Sequence, residues 1–180
     1  MSTRTDTGML DFDHFLPSLG VMRMTRLQTF ENAAHVMDEL ISFHEELSEQ
    51  YSGLAESSTI PLSRLLLQFL ADREKKQADS LESFEANAPY KVLKTWIQVP
   101  FPADPESFIG SLQQEFSNDL EPDQVYELGN KADEFIVGLL EHLQDRCEIE
   151  DIKTLFGDLL KGERDNNIAL SKAFNSLREF

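Results

Sequence analysis

The sequence predicts an all-α protein, a four-helix bundle made of two antiparallel helix hairpins joined by a long crossover that contains a short helix. Three observations predict it. Apolar residues recur at spacings of three and four through four long segments, which lines them along one helix face in each. No comparable run alternates with period two, so no sheet is expected. The three connections run short, long, short, and short connections make antiparallel neighbours.

In the first segment Phe30, Ala33, Ala34, Met37, Leu40, Ile41, His44, Leu47, Tyr51 and Leu54 share a stripe, and Gly53 followed by Ser57 and Ser58 marks its end. The second opens at Pro61, whose fixed φ and missing N–H suit a first helical turn. It carries Leu62, Leu66, Phe69, Leu70, Glu74, Gln77, Leu81 and Phe84 to a stop at Ala88-Pro89. The third begins after Glu121-Pro122-Asp123 and runs through Val125, Leu128, Ala132, Asp133, Ile136, Leu140 and Leu143 to about Cys147. The fourth shows Ile152, Phe156, Leu159, Leu160, Glu163, Asn166, Leu170, Phe174 and Leu177.

Between the second and third segments, Pro89, Pro100, Pro102 and Pro105 surround the apolar run Trp96-Ile97-Gln98-Val99. A helix of about 25 residues is roughly 37 Å long, a distance that an extended chain covers in about a dozen residues. The connection can therefore return along the whole bundle. Asp104-Pro105-Glu106 reads as a helix start, and Phe108, Ile109, Leu112 and Phe116 give that helix an apolar face. The expected organisation is an N-terminal arm over 1–27 and one bundle domain over 28–180, with a hairpin at 28–88, the crossover at 89–121 and a second hairpin at 122–178. A chain of 180 residues with 41% hydrophobic content suits one sizeable core.

Sixteen basic side chains face thirty-three acidic ones, for a net charge of −17. Such a surface repels phosphate backbones and anionic lipid, so neither nucleic acid nor a membrane surface is an expected partner. The acidity itself reads as an ordinary solvated exterior. Cys147 has no second cysteine to pair with, and residues 1–11 are too polar for a signal peptide. The longest apolar stretch, 65–71, falls far short of the roughly 18 residues a membrane span needs. A soluble, cytoplasmic protein is expected.

Two of the stripes carry polar intruders. Glu74 is followed three residues later by Gln77, and Glu163 by Asn166, where a metal-binding bundle would present Glu-x-x-His. The hairpin order together with these pairs resembles the ferritin-like superfamily, and within it the rubrerythrin-like domains, over residues 28–178. The resemblance implies a glutamate on the first helix of each hairpin, followed six and seven residues on by Phe-Tyr, and Glu-x-x-His on the second. In "HVMDELISFHEELSEQY", Phe43-His44 looks like the Phe-Tyr pair, which puts Met37 at the glutamate position; "LADREKKQADSL" supplies Glu74 and Gln77. In "NKADEFIVGLLEHL", Asp133 takes the glutamate position with Leu139-Leu140 in place of Phe-Tyr, and "LLKGERDNNIAL" supplies Glu163 and Asn166. Of six implied ligand positions only Glu74 and Glu163 keep their residue. No Cys-x-x-Cys pair is present, so the rubredoxin-type iron centre of many rubrerythrins is not expected. The resemblance also implies a homodimer formed by helix packing.

These departures have a physical meaning. A di-iron site needs several carboxylates and imidazoles, so the replacements predict a degenerate site with no cofactor. Glu74, Asp133 and Glu163 would then converge in an apolar core, where uncompensated charge costs several kcal/mol or forces protonation. Gln77 and Asn166 carry N–H donors, and a metal-free hydrogen-bond network among these five side chains would satisfy them. Arg73 and Arg164 sit about 100° round the helix from their neighbouring glutamates and are expected to be poorer partners. The alternative uses the same five residues, Glu74, Gln77, Asp133, Glu163 and Asn166, as a hard oxygen ligand set for calcium, magnesium or manganese in preference to iron or zinc.

Met37 reads as core packing. His35 and Glu39 read as a solvated pair. His44 lies about 10 Å along the axis from Met37, too far to share an ion with it, and is expected to replace a buried tyrosine and hydrogen-bond across the bundle. His142 falls on the outer side of the third helix and His14 in the arm, whose apolar segment "MLDFDHFLPSLGVMRM" is expected to cover the bundle. There is no Gly-rich phosphate loop, no Gly-x-Ser-x-Gly elbow and no partner set around Cys147, so no catalytic residue is assigned. The expected function is that of a ferritin-like bundle without its di-iron site, a binding or structural protein and not an enzyme. The alternative is a metal-binding oxidoreductase or metal-storage protein with an altered ligand set, and a small ligand held in the bundle core is a further possibility.

Overall fold

A computed structural model describes residues 31–99 and 101–178. Four long helices carry the architecture: α1 (Ala33–Ser57), α2 (Pro61–Asn87), α5 (Pro122–Arg146) and α6 (Glu150–Arg178). The crossover between α2 and α5 holds α3 (Tyr90–Leu93) and α4 (Pro105–Gln113). The expected hairpin, long crossover, hairpin order is what folds.

The helix boundaries follow from local chemistry. Asn32 caps α1 by accepting a hydrogen bond from the His35 N–H at 2.9 Å. Pro61 opens α2 at a position where its missing N–H costs nothing. Asp104 caps α4 through the Ser107 N–H at 3.0 Å, with Pro105 in its first turn. Glu121 and Gln124 form a reciprocal capping box at the start of α5, where the Glu121 N–H donates to the Gln124 side chain at 2.8 Å. At the first hairpin turn, the N–H and hydroxyl of Thr59 both donate to the Asn118 carbonyl, at 2.7 and 3.0 Å, tying the turn to the end of the crossover.

Two expectations are corrected. A sheet was not expected, yet β1 (Glu31–Asn32) pairs antiparallel with β2 (Trp96–Ile97), with Glu31 opposite Ile97 and Asn32 opposite Trp96. Two residues per strand are too few to show alternation, so periodicity could not reveal them. The first helix also starts at Ala33, because the two preceding residues extend into that ladder. Phe30 and the arm over 1–27, with its expected covering role and His14, lie outside the described residues.

The core runs the length of the bundle, with Met37, Leu47, Tyr51, Leu67, Leu128, Ile136 and Phe156 among its most deeply buried side chains. The crossover helix is part of it. Phe108 on α4 stacks on Phe135 of α5 with ring centroids 4.1 Å apart, and Phe43 of α1 stacks on Phe135 at 5.5 Å. Phe43 in turn meets His44 edge-on at 5.5 Å, so the crossover supplies part of the dry wall beside that histidine. Among the described residues, no helix is long and apolar enough to cross a membrane.

Gly129 of α5 packs against side chains of both α2 and α6. A Cβ there would lie 2.9 Å from a Leu70 methyl of α2 and 3.1 Å from a Leu170 methyl of α6. A bulky β-branched residue would force these helices apart. Gly129→Val is expected to lower unfolding free energy by about 2 kcal/mol in a urea titration, with little change in helical circular dichroism before the transition.

Candidate functional site

Halfway along the bundle, seven polar side chains converge inside this apolar frame: His44 from α1, Arg73, Glu74 and Gln77 from α2, Asp133 from α5, and Glu163 and Asn166 from α6. All five residues picked out in the sequence are brought together. Glu74, Asp133 and Glu163 are buried, as is His44; Gln77 and Asn166 are half-buried. Met37 lies fully buried in the core.

Arg73 and His44 neutralise the carboxylates. Arg73 Nη1 and Nη2 donate to the two oxygens of Asp133 at 2.9 and 2.6 Å, a bidentate pairing across the two hairpins. Nη2 also donates to Glu74 Oε1 at 2.6 Å, and Nε to the same oxygen at 3.2 Å. The expectation that Arg73 is a poor partner for Glu74 is therefore corrected. The two Cα–Cβ directions do diverge around the helix, but the long arginine stem folds back over its own turn and brings the guanidinium to the carboxylates. Arg164 does point away, pairing with Glu141 at the exposed surface.

His44 stands between the remaining charges. Its Nδ1 lies 2.7 Å from Glu74 Oε2 and its Nε2 3.4 Å from Glu163 Oε1. The second contact is an ion pair whose geometry falls short of a hydrogen bond, which leaves Nε2 without a hydrogen-bond partner. The expected hydrogen bond of His44 is made to Glu74 on the other helix of its own hairpin, and it reaches the second hairpin only through the ion pair with Glu163. Burial alone would push the imidazolium toward losing its proton, but Glu163 and Glu74 together outweigh burial and raise its pKa to about 9. Burial likewise works against ionised Glu74, and is overcome by His44 and Arg73, which hold that carboxyl below its ordinary range. Burial dominates at Asp133 and lifts it to about 6 despite Arg73.

The amides complete the arrangement. Gln77 Nε2 donates to Glu163 Oε1 at 2.7 Å, and Asn166 Nδ2 donates to Gln77 Oε1 at 2.5 Å. Asn166 thus reaches the carboxylates through Gln77, as one link of a hydrogen-bonded chain that ends on Glu163. The Asn167 amide faces two acceptors, Asp133 Oδ2 at 2.9 Å and the Glu163 carbonyl at 3.1 Å, so its nitrogen is assigned to that side, where it donates to both. Sequence reasoning missed Arg73 and Asn167. The available signal was charge balance: three buried carboxylates demand cations, and Arg73 and Arg164 each adjoin one of them in sequence.

Elsewhere, His35 sits on the exposed side of α1 at 3.5 Å from both Glu31 and Glu39, the solvated arrangement expected of it. Cys147 is buried and unpaired.

A pair of iron ions does not fit this arrangement. Arginine cannot give up its proton here and already spans Glu74 and Asp133. A histidine ligand must be neutral, whereas His44 Nδ1 is 2.7 Å from Glu74 Oε2 and Nε2 3.4 Å from Glu163 Oε1, a position between two carboxylates that favours the imidazolium. The free space among the seven side chains is about 10 Å³, room for about one water. Among the described residues, no three His, Cys, Asp or Glu side chains are grouped as a metal ion requires.

No protein-family model and no curated protein matches the chain. Among solved structures it is similar to a protein from Thermotoga maritima described as ferritin-like and diiron-carboxylate, with a TM-score of 0.50 and 14% identity, over 81% of this chain and 96% of that one. The chain has the ferritin-like fold: an all-α bundle of two helix hairpins with a polar centre. At that identity the likeness concerns architecture and carries no ligand across.

The proton-linked groups set a direction for stability. His44, raised from 6.5 to about 9, contributes stability that is fully present below about pH 6.5 and lost as pH rises through 9. Asp133, raised from 3.8 to about 6, acts in the same sense at lower pH. Glu74, held low, acts oppositely, its contribution being lost on acidification below its ordinary range. Unfolding free energy is therefore expected to drop by about 2–3 kcal/mol between pH 6.5 and 9. In His44→Gln that slope should flatten; an equal slope in the variant would rule out His44 as its source.

Proposed function

We propose that this protein is a non-catalytic ferritin-like bundle, rubrerythrin-like in ancestry, in which internal ion pairs have replaced a di-iron centre and which serves as a binding or structural protein. The observation that carries this reading is the Arg73 guanidinium seated between Glu74 and Asp133, with the His44 imidazolium between Glu74 and Glu163. Two protein cations supply the neutralisation that metal ions would otherwise provide, so the centre is stable without a cofactor and has no open coordination position for dioxygen chemistry. The degenerate ligand set, with Met37, Gln77, Asp133 and Asn166 at four implied ligand positions, supports the same view.

The single cysteine, which forms no disulfide framework, favours a cytoplasmic protein, and the net charge of −17 disfavours nucleic acid and anionic membrane surfaces as partners. A homodimer formed through helix faces is the assembly we propose. The tight centre, with space for about one water, argues against a small organic ligand inside the bundle. The competing reading, a metal-binding oxidoreductase or metal-storage protein with an altered ligand set, draws on the retained convergence of Glu74, Asp133 and Glu163.

Aerobic addition of two ferrous equivalents per chain should develop no oxo-bridged absorbance, and protein purified without chelator should contain iron, calcium and manganese well below one ion per chain. Glu74→Ala and Glu163→Ala should each lower the melting temperature by the same amount with and without added ions. An effect that appears only in the presence of iron would favour the oxidoreductase reading.

A further inference from the structure

We infer that Arg73 is the built-in occupant of a hard-cation position between the hairpins, and that this one side chain keeps the position closed to divalent ions. The inference rests on the ion-paired reading of the centre and names the residue that enforces it. Its basis is the placement of a single atom. Arg73 Nη2 lies 2.6 Å from Glu74 Oε1 and 2.6 Å from Asp133 Oδ1, so one positive nitrogen bridges two carboxylates from different hairpins. Calcium–oxygen contacts fall at about 2.3–2.6 Å, so the two oxygens already straddle a point where a calcium-sized ion would need only small adjustments.

A further donor is at hand. Asp133 Oδ2, now taken by Nη1 at 2.9 Å and by the Asn167 amide, would make the aspartate bidentate. All of these are hard oxygen donors, suited to calcium and poorly suited to iron or zinc. Removing the guanidinium also removes its volume, which exceeds that of a bare ion, so water can complete the coordination. His44 neutralises the other side, between Glu74 and Glu163, and does not enter the position.

The test compares four proteins in 0.15 M sodium chloride: the unaltered chain, Arg73→Lys, Arg73→Ala and Arg73→Gln. The last nearly preserves side-chain length and offers an amide oxygen. Calcium chloride titrated calorimetrically should bind Arg73→Gln and Arg73→Ala at one ion per chain, about 100-fold more tightly than the unaltered chain or Arg73→Lys, which retains a cation. Asp133→Asn added to Arg73→Gln should abolish that gain. Melting temperature in calcium should rise by several degrees in the two neutral variants alone. If they are unfolded without the ion, calcium should restore helical circular dichroism.

Failure of both neutral variants to gain a calcium site, whether folded or left unfolded in calcium, overturns the role given to Arg73 while leaving a metal-free centre in place. Stoichiometric, tight binding by the unaltered chain overturns the ion-paired reading itself.

Discussion

Three carboxylates drawn from three helices meet in an interior that is otherwise hydrocarbon, and the surrounding structure is organised by the need to neutralise them. An unpaired carboxylate in such a place costs several kcal/mol or takes up a proton. Two cations and three amides answer that demand, leaving about one net negative charge spread over hydrogen bonds from Gln77 and Asn167. Each hairpin is held by its own apolar stripe, which tolerates small slips. The Arg73–Asp133 and Gln77–Glu163 bonds cross between hairpins and tolerate much less, because a bidentate guanidinium pair is directional. The ion-pair network thus fixes the register in which two interchangeable apolar faces dock. The aromatic stack of Phe43, Phe108 and Phe135 lies beside it and limits water, which strengthens every charge interaction inside.

The helices were legible because each has an unbroken 3.6-residue stripe and explicit stop signals. Pro61, Ala88-Pro89, Pro105 and Pro122 mark boundaries that the structure places within a residue or two. Five members of the central cluster, Glu74, Gln77, Asp133, Glu163 and Asn166, were legible for the same reason, since a polar side chain among leucines on an inner stripe has nowhere to go but inward. Its wiring was less so. Helical-wheel reasoning follows Cβ directions, and Arg73 reaches the centre through a stem long enough to defeat them. Which amide serves which carboxylate depends on packing between hairpins about 90 residues apart, as in the Asn166–Gln77 bond. The β1–β2 ladder is long-range and only two residues deep, so it leaves no periodic trace.

The chain shares its architecture with a protein described as ferritin-like and diiron-carboxylate, and one fold can carry different chemistry at its centre. A bundle that converges acidic side chains on its axis must supply positive charge from somewhere. Metal ions do so in one solution. Here the chain's own guanidinium and imidazolium lie among the carboxylates, and in the reading proposed above they take the place that metal ions would hold.

The protonation state of His44 tests this account most directly. Imidazole ¹⁵N resonances recorded near pH 7.5, on protein purified without chelator, report both ring nitrogens. The account predicts an imidazolium with both nitrogens protonated, titrating near pH 9. A neutral His44 ring at that pH, or resonances shifted or broadened by a bound metal and restored by its removal, would contradict it.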